Sequence, residues 1–291
     1  MELNHDAVNT PPVTAASLVV LRDGQQGLEV LLLKRHGASG VFGGVHVFPG
    51  GKVDAGDGDE SAMSVLDQPP ETLHRQLGEP ALQPRDAAAL YLAALREAFE
   101  ECGLLLANMA DATRLTQVAE LVRQGHGFAS ALQSLKLQLH TRQVLPWSRW
   151  ITPRVPSVSS KRFDTRFFLA EAPENQTARH DNHEATDSVW LTPRQGLERY
   201  WDGQIELAPP QIMSLVHLAR YESVHEALDV ARKRPPPVIQ PEPFEELDTR
   251  VVCYPGDARH SVPERALPGP TRLFFRNRRF EPAGGLKDLL P

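Results

Sequence analysis

The chain has 291 residues, 41% of them hydrophobic and 23% charged, which is enough apolar material for one large domain or one domain with an extension. A formal net charge of -6 argues against a broad basic face for nucleic acid, while leaving room for a local basic pocket that takes phosphates. With only Cys102 and Cys253, no basic leader and no uncharged apolar run near the roughly 18 residues of a membrane span, the composition argues against a disulfide framework, a cysteine zinc site and a membrane segment, and a cytoplasmic protein is expected.

A polar start, residues 1–14, reads as a flexible N-terminus. ASLVVLRD and LEVLLLKRH then read as two central strands joined at the turn-prone DGQQG. The glycine-rich stretch from Gly37 to Glu60 favours special backbone angles and is expected to be a shaped loop. Residues 61–85 are polar and contain proline, with a short helix around Glu71 to Leu77. DAAALYLAALREAFEECGLLLA has high helix propensity, with Asp86 as expected N-cap and Gly103 near its C-terminal end. One or two helices are expected over 113–139, strands over WSRWITP and KRFDTRFFLAEA, and a strand-to-helix junction in VWLTP with Thr192 as cap and Pro193 in first position. Residues 209–233 read as helical. RPPPVIQPEPFEE reads as an extended connector, and TRLFFRNRRFEP as a small hairpin in the tail.

REAFEECG places Glu97, Glu100 and Glu101 at i, i+3 and i+4, on one face of the long helix, with Leu92, Leu95, Ala98, Phe99, Cys102 and Leu106 on the opposite side. Like charges at these spacings repel by a few tenths of a kcal/mol per pair, and a cation between them reverses the sign. Hard oxygen ligands of this kind suit Mg²⁺ or Mn²⁺. The plainer reading is a solvated helix face.

FPGGKVDAGD together with REAFEECGL resembles the Nudix box, G-x5-E-x7-R-E-U-x-E-E-x-G-U with U aliphatic. Gly51, Arg96, Glu97, Ala98, Glu100, Glu101, Gly103 and Leu104 stand at matching positions, Asp57 stands where the first Glu is expected, and 31 extra residues split the box between Asp57 and Arg96. These residues are expected to leave the loop as an excursion outside the catalytic geometry. W-x2-WITP, RFDTRFF, the stretch from Glu184 to Pro193 and LAPP are similar to the branch of nucleoside diphosphate-linked moiety X motif 19, a coenzyme A diphosphatase-like group.

The resemblance implies an α/β fold, a Nudix-type α/β/α sandwich with a mixed sheet, here with a C-terminal extension. It divides the chain into a Nudix domain over 15–233 with an insertion at about 58–85, a Pro-rich linker over 234–246 and a tail over 247–291. It implies a metal-dependent hydrolase that splits a diphosphate by attack of water on phosphorus. Glu97, Glu100, Glu101 and the carbonyl of Gly51 would hold Mg²⁺ or Mn²⁺, Glu184 or Glu97 would act as base, and Arg96 would pair with Asp57 to hold the loop against the helix. His46 is a candidate phosphate contact, weighed against a packing role. Arg162 and Arg166 are candidate substrate contacts; Asp164 and Arg166 alternate with Phe163, Thr165 and Phe167 along a strand, so a plain cross-strand ion pair is at least as good a reading for them.

LLLKRHGASGVFGGVHVFPGG lies on the coenzyme A signature of that family. Leu31, Leu32, Arg35, Gly44, Phe48, Pro49, Gly50 and Gly51 match, whereas Leu33, His36 and Gly40 do not, and the missing Arg at position 40 removes a phosphate-binding cation. Arg35 and Gly50 are therefore expected substrate contacts. The implied partner is a small-molecule nucleoside diphosphate derivative, with coenzyme A or an acyl-CoA favoured and no nucleic acid or membrane involved. ADP-ribose, NADH, nucleoside triphosphates and a non-catalytic nucleotide-sensing module are the alternatives, and a homodimer is left open.

Overall fold

The computed structural model describes residues 3–4, 6–37, 43–156, 161–180 and 185–291. β1 (Val13–Gly24) and β2 (Gly27–Arg35) form the early antiparallel hairpin. β1 sends Ala16, Leu18 and Val20 to one side and Val19 and Leu21 to the other, all fully buried. A strand apolar on both faces needs cover on both faces, and the helices supply it. β3 (His46–Val47) pairs with β2, and β4 (Gly50–Lys52) lies beside the first half of β1.

The residues that split the box form a 3₁₀ turn (Ala55–Gly58), α1 (Glu60–Ser64) and α2 (Pro70–Leu77). They are packed in, contrary to the expected excursion. Ala62, Val65, Leu73 and Leu77 are buried in the same core as the long helix α3 (Pro84–Cys102), whose Tyr91 hydroxyl donates to the Leu73 carbonyl. α3 starts earlier than expected, with Pro84 in first position after Gln83, and Asp86 falls in its first turn, where it favours the helix dipole without capping. Gly103 closes the helix in the left-handed region at φ 70°, and the Leu104 N–H returns to the Ala98 carbonyl.

α4 (Ala112–Arg123) and α5 (Phe128–Ser134) complete this layer. β5 (Leu145–Ile151) and β6 (Phe163–Glu171) follow, with β6 parallel to β1 and antiparallel to β5. β7 (Ala185–Leu191) pairs with β2. Thr192 caps α6 (Pro193–Trp201) through a reciprocal pair of 3.1 Å hydrogen bonds with Gln195. The helix expected over 209–233 is two helices, α7 (Pro209–Leu218) and α8 (Val224–Lys233), the second capped by Ser223.

The Pro-rich stretch holds more structure than an extended connector. β8 (Val238–Ile239) joins the main sheet parallel to β5, and β9 (Glu242–Glu246) opens a second sheet with β10 (Thr249–Cys253), β11 (Arg272–Arg276) and β12 (Arg279–Glu281). The expected tail hairpin is β11–β12. The main sheet runs β3-β2-β1-β6-β5-β8, with β4 beside β1 and β7 beside β2. One face packs α1 to α5. The other packs α6 to α8 and the second sheet, whose Val252, Tyr254, Leu273 and Phe280 share a core with Val19, Leu32 and Phe167. Tyr200 locks this layer: its hydroxyl donates to the Phe280 carbonyl at 2.8 Å and accepts from the Phe280 N–H at 2.9 Å.

Candidate active site

The last two turns of α3 run beside β4 and the 3₁₀ turn, where the split halves of the box meet. Arg96, 8% exposed, faces Asp57, 2% exposed, through a two-pronged contact: Nε to Oδ1 at 2.9 Å and Nη2 to Oδ2 at 3.0 Å. Nη2 also donates to the Lys52 carbonyl at 2.9 Å, and Nη1 reaches both Glu97 and Glu100 at 2.8 Å. Burial opposes the charge on Arg96, yet the Asp57 hydrogen bond and the carboxylates of Glu97, Asp57 and Glu100 outweigh it and hold its pKa above the ordinary value. One arginine thus ties loop, strand and helix together.

Glu101 is buried, and its Oε2 accepts from the Gly50 N–H at 2.8 Å. The two glycines of β4 are required by close approach: a Cβ on Gly50 would overlap Ser17 and the Ala16 carbonyl of β1, and one on Gly51 would overlap the Glu97 carboxylate. Glu100 has its pKa raised, first by burial, with Arg96 opposing and Asp57 and Asp54 adding to the rise.

Among the described residues no group of three or more His, Cys, Asp or Glu stands gathered as a metal-ligand set. The donors nonetheless have the right chemistry for a hard divalent cation. They are carboxylate oxygens on adjacent turns, and the missing side chain of Gly51 leaves its backbone against the Glu97 carboxylate. Glu97 and Glu100 already bracket one positive group, Arg96 Nη1. That guanidinium fills the gap between the two carboxylates.

These residues close one end of a cleft of about 810 Å³. Gly50, Gly51, Lys52, Arg96, Glu97 and Glu100 line that end, Arg35, His36 and Lys161 add positive charge or donors, and Trp150, Phe163 and Phe167 form an aromatic wall. Ala208, Pro210 and Gln211, at the start of α7, complete the lining.

Of the residues expected at the site, Arg35, Gly50, Gly51, Arg96, Glu97 and Glu100 line this cleft, with Glu101 held beneath through Gly50. Others are engaged elsewhere. His46 is buried on β3 with its N–H on the Glu206 carbonyl, and burial, then Lys34, lowers its pKa, which suits a packed neutral imidazole rather than a phosphate contact. Arg166 points to the opposite face of the sheet, where it grips Glu79 of the split-box segment at 2.9 and 2.6 Å and pairs with Asp164 at 2.9 Å. Arg162 donates to the carbonyls of Thr152 and Thr10, pinning the N-terminal segment. Glu184 lies outside the described residues. Lys52, Lys161, Trp150 and Gln211 were not expected at the cleft. The W-x2-W spacing and the LAPP segment were the available signals for the last two.

A family model described as the NUDT19 Nudix domain matches residues 8–218. The chain belongs to this Nudix family. Acyl-coenzyme A diphosphatase NUDT19 of Xenopus laevis is 30% identical over 234 residues, which is 68% of this chain and 61% of that protein. Its Homo sapiens counterpart is 26% identical over 236 residues, 68% of this chain and 62% of that one. The chain spans a little over three fifths of the length of these curated relatives. The crystal structure of a NUDIX hydrolase from Alicyclobacillus acidocaldarius is similar with a TM-score of 0.59 at 26% identity, covering 79% of this chain and 99% of that one. The matched Nudix domain ends at the last residue of α7, so α8, β8 and the whole second sheet lie beyond it. No described helix is long and apolar enough to cross a membrane.

Proposed function

We propose that this protein is a divalent-metal-dependent Nudix diphosphatase that cleaves coenzyme A or an acyl-CoA. The observation that carries the reading is the cleft with Glu97 and Glu100 and the glycine strand at one end and the Arg35 guanidinium on its lining. The relatives known as acyl-coenzyme A diphosphatases favour an acyl-CoA as substrate. Glu97, Glu100 and Glu101, with the Gly51 carbonyl, would hold Mg²⁺ or Mn²⁺, which would supply neutralisation of diphosphate charge and acidification of the attacking water. Arg96 is a positioning residue: its fork on Asp57 and its bond to the Lys52 carbonyl fix the helix against the loop and β4. Glu97 or Glu184 takes the proton of the water that attacks phosphorus. Arg35 contributes a charge-assisted contact to phosphate. A non-catalytic sensing module is disfavoured because all three box glutamates are retained.

Mass spectrometry of products from a diphosphate panel, with Mg²⁺ and with Mn²⁺, tests this. Coenzyme A or an acyl-CoA should yield 3′,5′-ADP and a 4′-phosphopantetheine species. Cleavage of ADP-ribose, NADH or a nucleoside triphosphate with kcat/KM at least about tenfold above that of any coenzyme A ester would overturn the substrate assignment.

A further inference from the structure

The second sheet has no part in the box, yet it reaches the cleft. Trp150 stands on β5 with its Cα opposite Thr165 of β6, beside Phe167 on the same sheet face, and all three line the cleft. On one side Trp150 is held by β6, and on the other by residues beyond the matched Nudix domain. Its backbone partner is Ile239 of β8, and next to it the Arg149 N–H donates to the Pro237 carbonyl at 2.9 Å. Its ring meets the edge of Tyr254, just past β10, with centroids 5.8 Å apart and planes at 78°. Tyr254 is itself 1% exposed, packed in the core that joins the second sheet to the main one, and its hydroxyl makes no hydrogen bond. The hydroxyl does nothing visible there. The ring is what the position uses.

The strand order places this wall away from the phosphate-binding cation. Arg35 ends β2, and β1 and β6 lie between β2 and β5, so Arg35 and Trp150 are separated by three strand spacings, roughly 14 Å. A substrate whose phosphates engage Arg35 and the carboxylate end has its remaining, uncharged part near Trp150, Phe163 and Phe167. Trp150 and Phe167 are each 4% exposed and Phe163 is half-buried, so the wall presents a narrow apolar edge and no charge. A coenzyme A ester is built to match: a phosphate-rich nucleoside half on one side of the diphosphate and a long, uncharged arm on the other.

We propose that the C-terminal extension is a specificity element, in which Tyr254 and β8 hold Trp150 as the apolar wall that receives the acyl-bearing arm of the substrate. Trp150 is the contact; Tyr254 is a positioning residue acting through it. The inference rests on the diphosphatase reading above and adds to it the source of selectivity between free and acylated coenzyme A.

The test uses the full chain with Trp150→Leu, Tyr254→Leu, the double variant and Tyr254→Phe, measuring kcat and KM for free coenzyme A and for a medium-chain acyl-CoA. Each apolar methylene that loses its contact weakens binding about fourfold, so each Leu variant should raise KM for the acyl-CoA about tenfold more than for free coenzyme A, with kcat little changed. The double variant should be no worse than the worse single one, because both act through one indole ring. Tyr254→Phe, which keeps the ring, should retain wild-type KM values. If Tyr254→Leu does not fold, Tyr254→Met takes its place with the same expected outcome. Equal KM changes for both substrates, or additive effects in the double variant, would overturn the inference alone. A wild-type chain that cleaves neither substrate refutes the proposed function, and the inference falls with it.

Discussion

Asp57→Ala tests whether one buried ion pair closes the split box. The variant removes both acceptors of the Arg96 fork and the Oδ2 that accepts the Asp54 N–H at 2.8 Å. Breaking a buried pair by removing one partner costs about 3–5 kcal/mol where the other charge is left alone. Arg96 keeps Glu97, Glu100 and the Lys52 carbonyl, so the lower end, about 3 kcal/mol, is expected. For a chain of this size that corresponds to a fall in Tm of roughly 6–10 °C. Arg96→Lys keeps a positive charge but cannot fork, and should lose about half as much. Urea unfolding of the Asp57→Ala and Arg96→Met single variants and of the double variant gives the coupling, which should reach about 2 kcal/mol. An Asp57→Ala loss below about 1 kcal/mol, with no coupling to Arg96, would mean that helix and loop are held by something else.

Glu101→Gln keeps the length and the acceptor for the Gly50 N–H but removes a charge from the carboxylate cluster; turnover should fall at least about 100-fold while the urea midpoint stays put, and an unchanged rate in the folded variant would remove Glu101 from the metal site. Replacing residues 61–82 by a short Gly/Ser linker should abolish cooperative unfolding, because Leu73 and Leu77 leave the core and Glu79 leaves Arg166; a cooperative transition would show that the segment is dispensable. Burial, then Arg234 and Arg220, lowers the pKa of His217 to about 3, so the unfolded chain binds its proton first and stability is lost as pH falls from about 6.5 toward 3, by up to roughly 4 kcal/mol. His217→Gln should flatten the urea midpoint over that window, and an unchanged pH dependence would show that other groups carry the acid loss.

What the sequence revealed follows the range of the interactions involved. The carboxylate face of α3 was legible because residues at i, i+3 and i+4 share a helix face whatever the tertiary context, and Asp57 was legible because Gly51 fixes its offset in the box. Strand alternation correctly separated Arg166 from Phe167 but carried no information on which face opens to the cleft, and the cleft lies on the face of Phe167. His46 looked like a loop residue because its strand, His46–Val47, is only two residues long and is set by pairing with β2 and by the Glu206 carbonyl. β8 was hidden for the same reason: two residues between prolines, ordered by β5. Trp150 was read as part of a strand, and its place on the cleft wall depends on Tyr254, with which it shares no local pattern.

The charge on a buried helix, which first sets this sequence apart, has a consequence for the order of binding. At this end Asp54, Asp57, Glu97, Glu100 and Glu101 carry five formal negative charges and Lys52 and Arg96 two positive ones, an excess of three. A diphosphate brought to that end alone meets like charge; Glu100 itself has its pKa raised, first by burial, with Asp57 and Asp54 adding to the rise and Arg96 opposing it. A divalent cation between the carboxylates would relieve the repulsion and would also attract phosphate oxygens. On the proposed function, the cation would therefore be part of how the substrate is held as well as of how water is activated. Arg96, locked on Asp57, holds Glu97 and Glu100 beside the loop that carries Asp57.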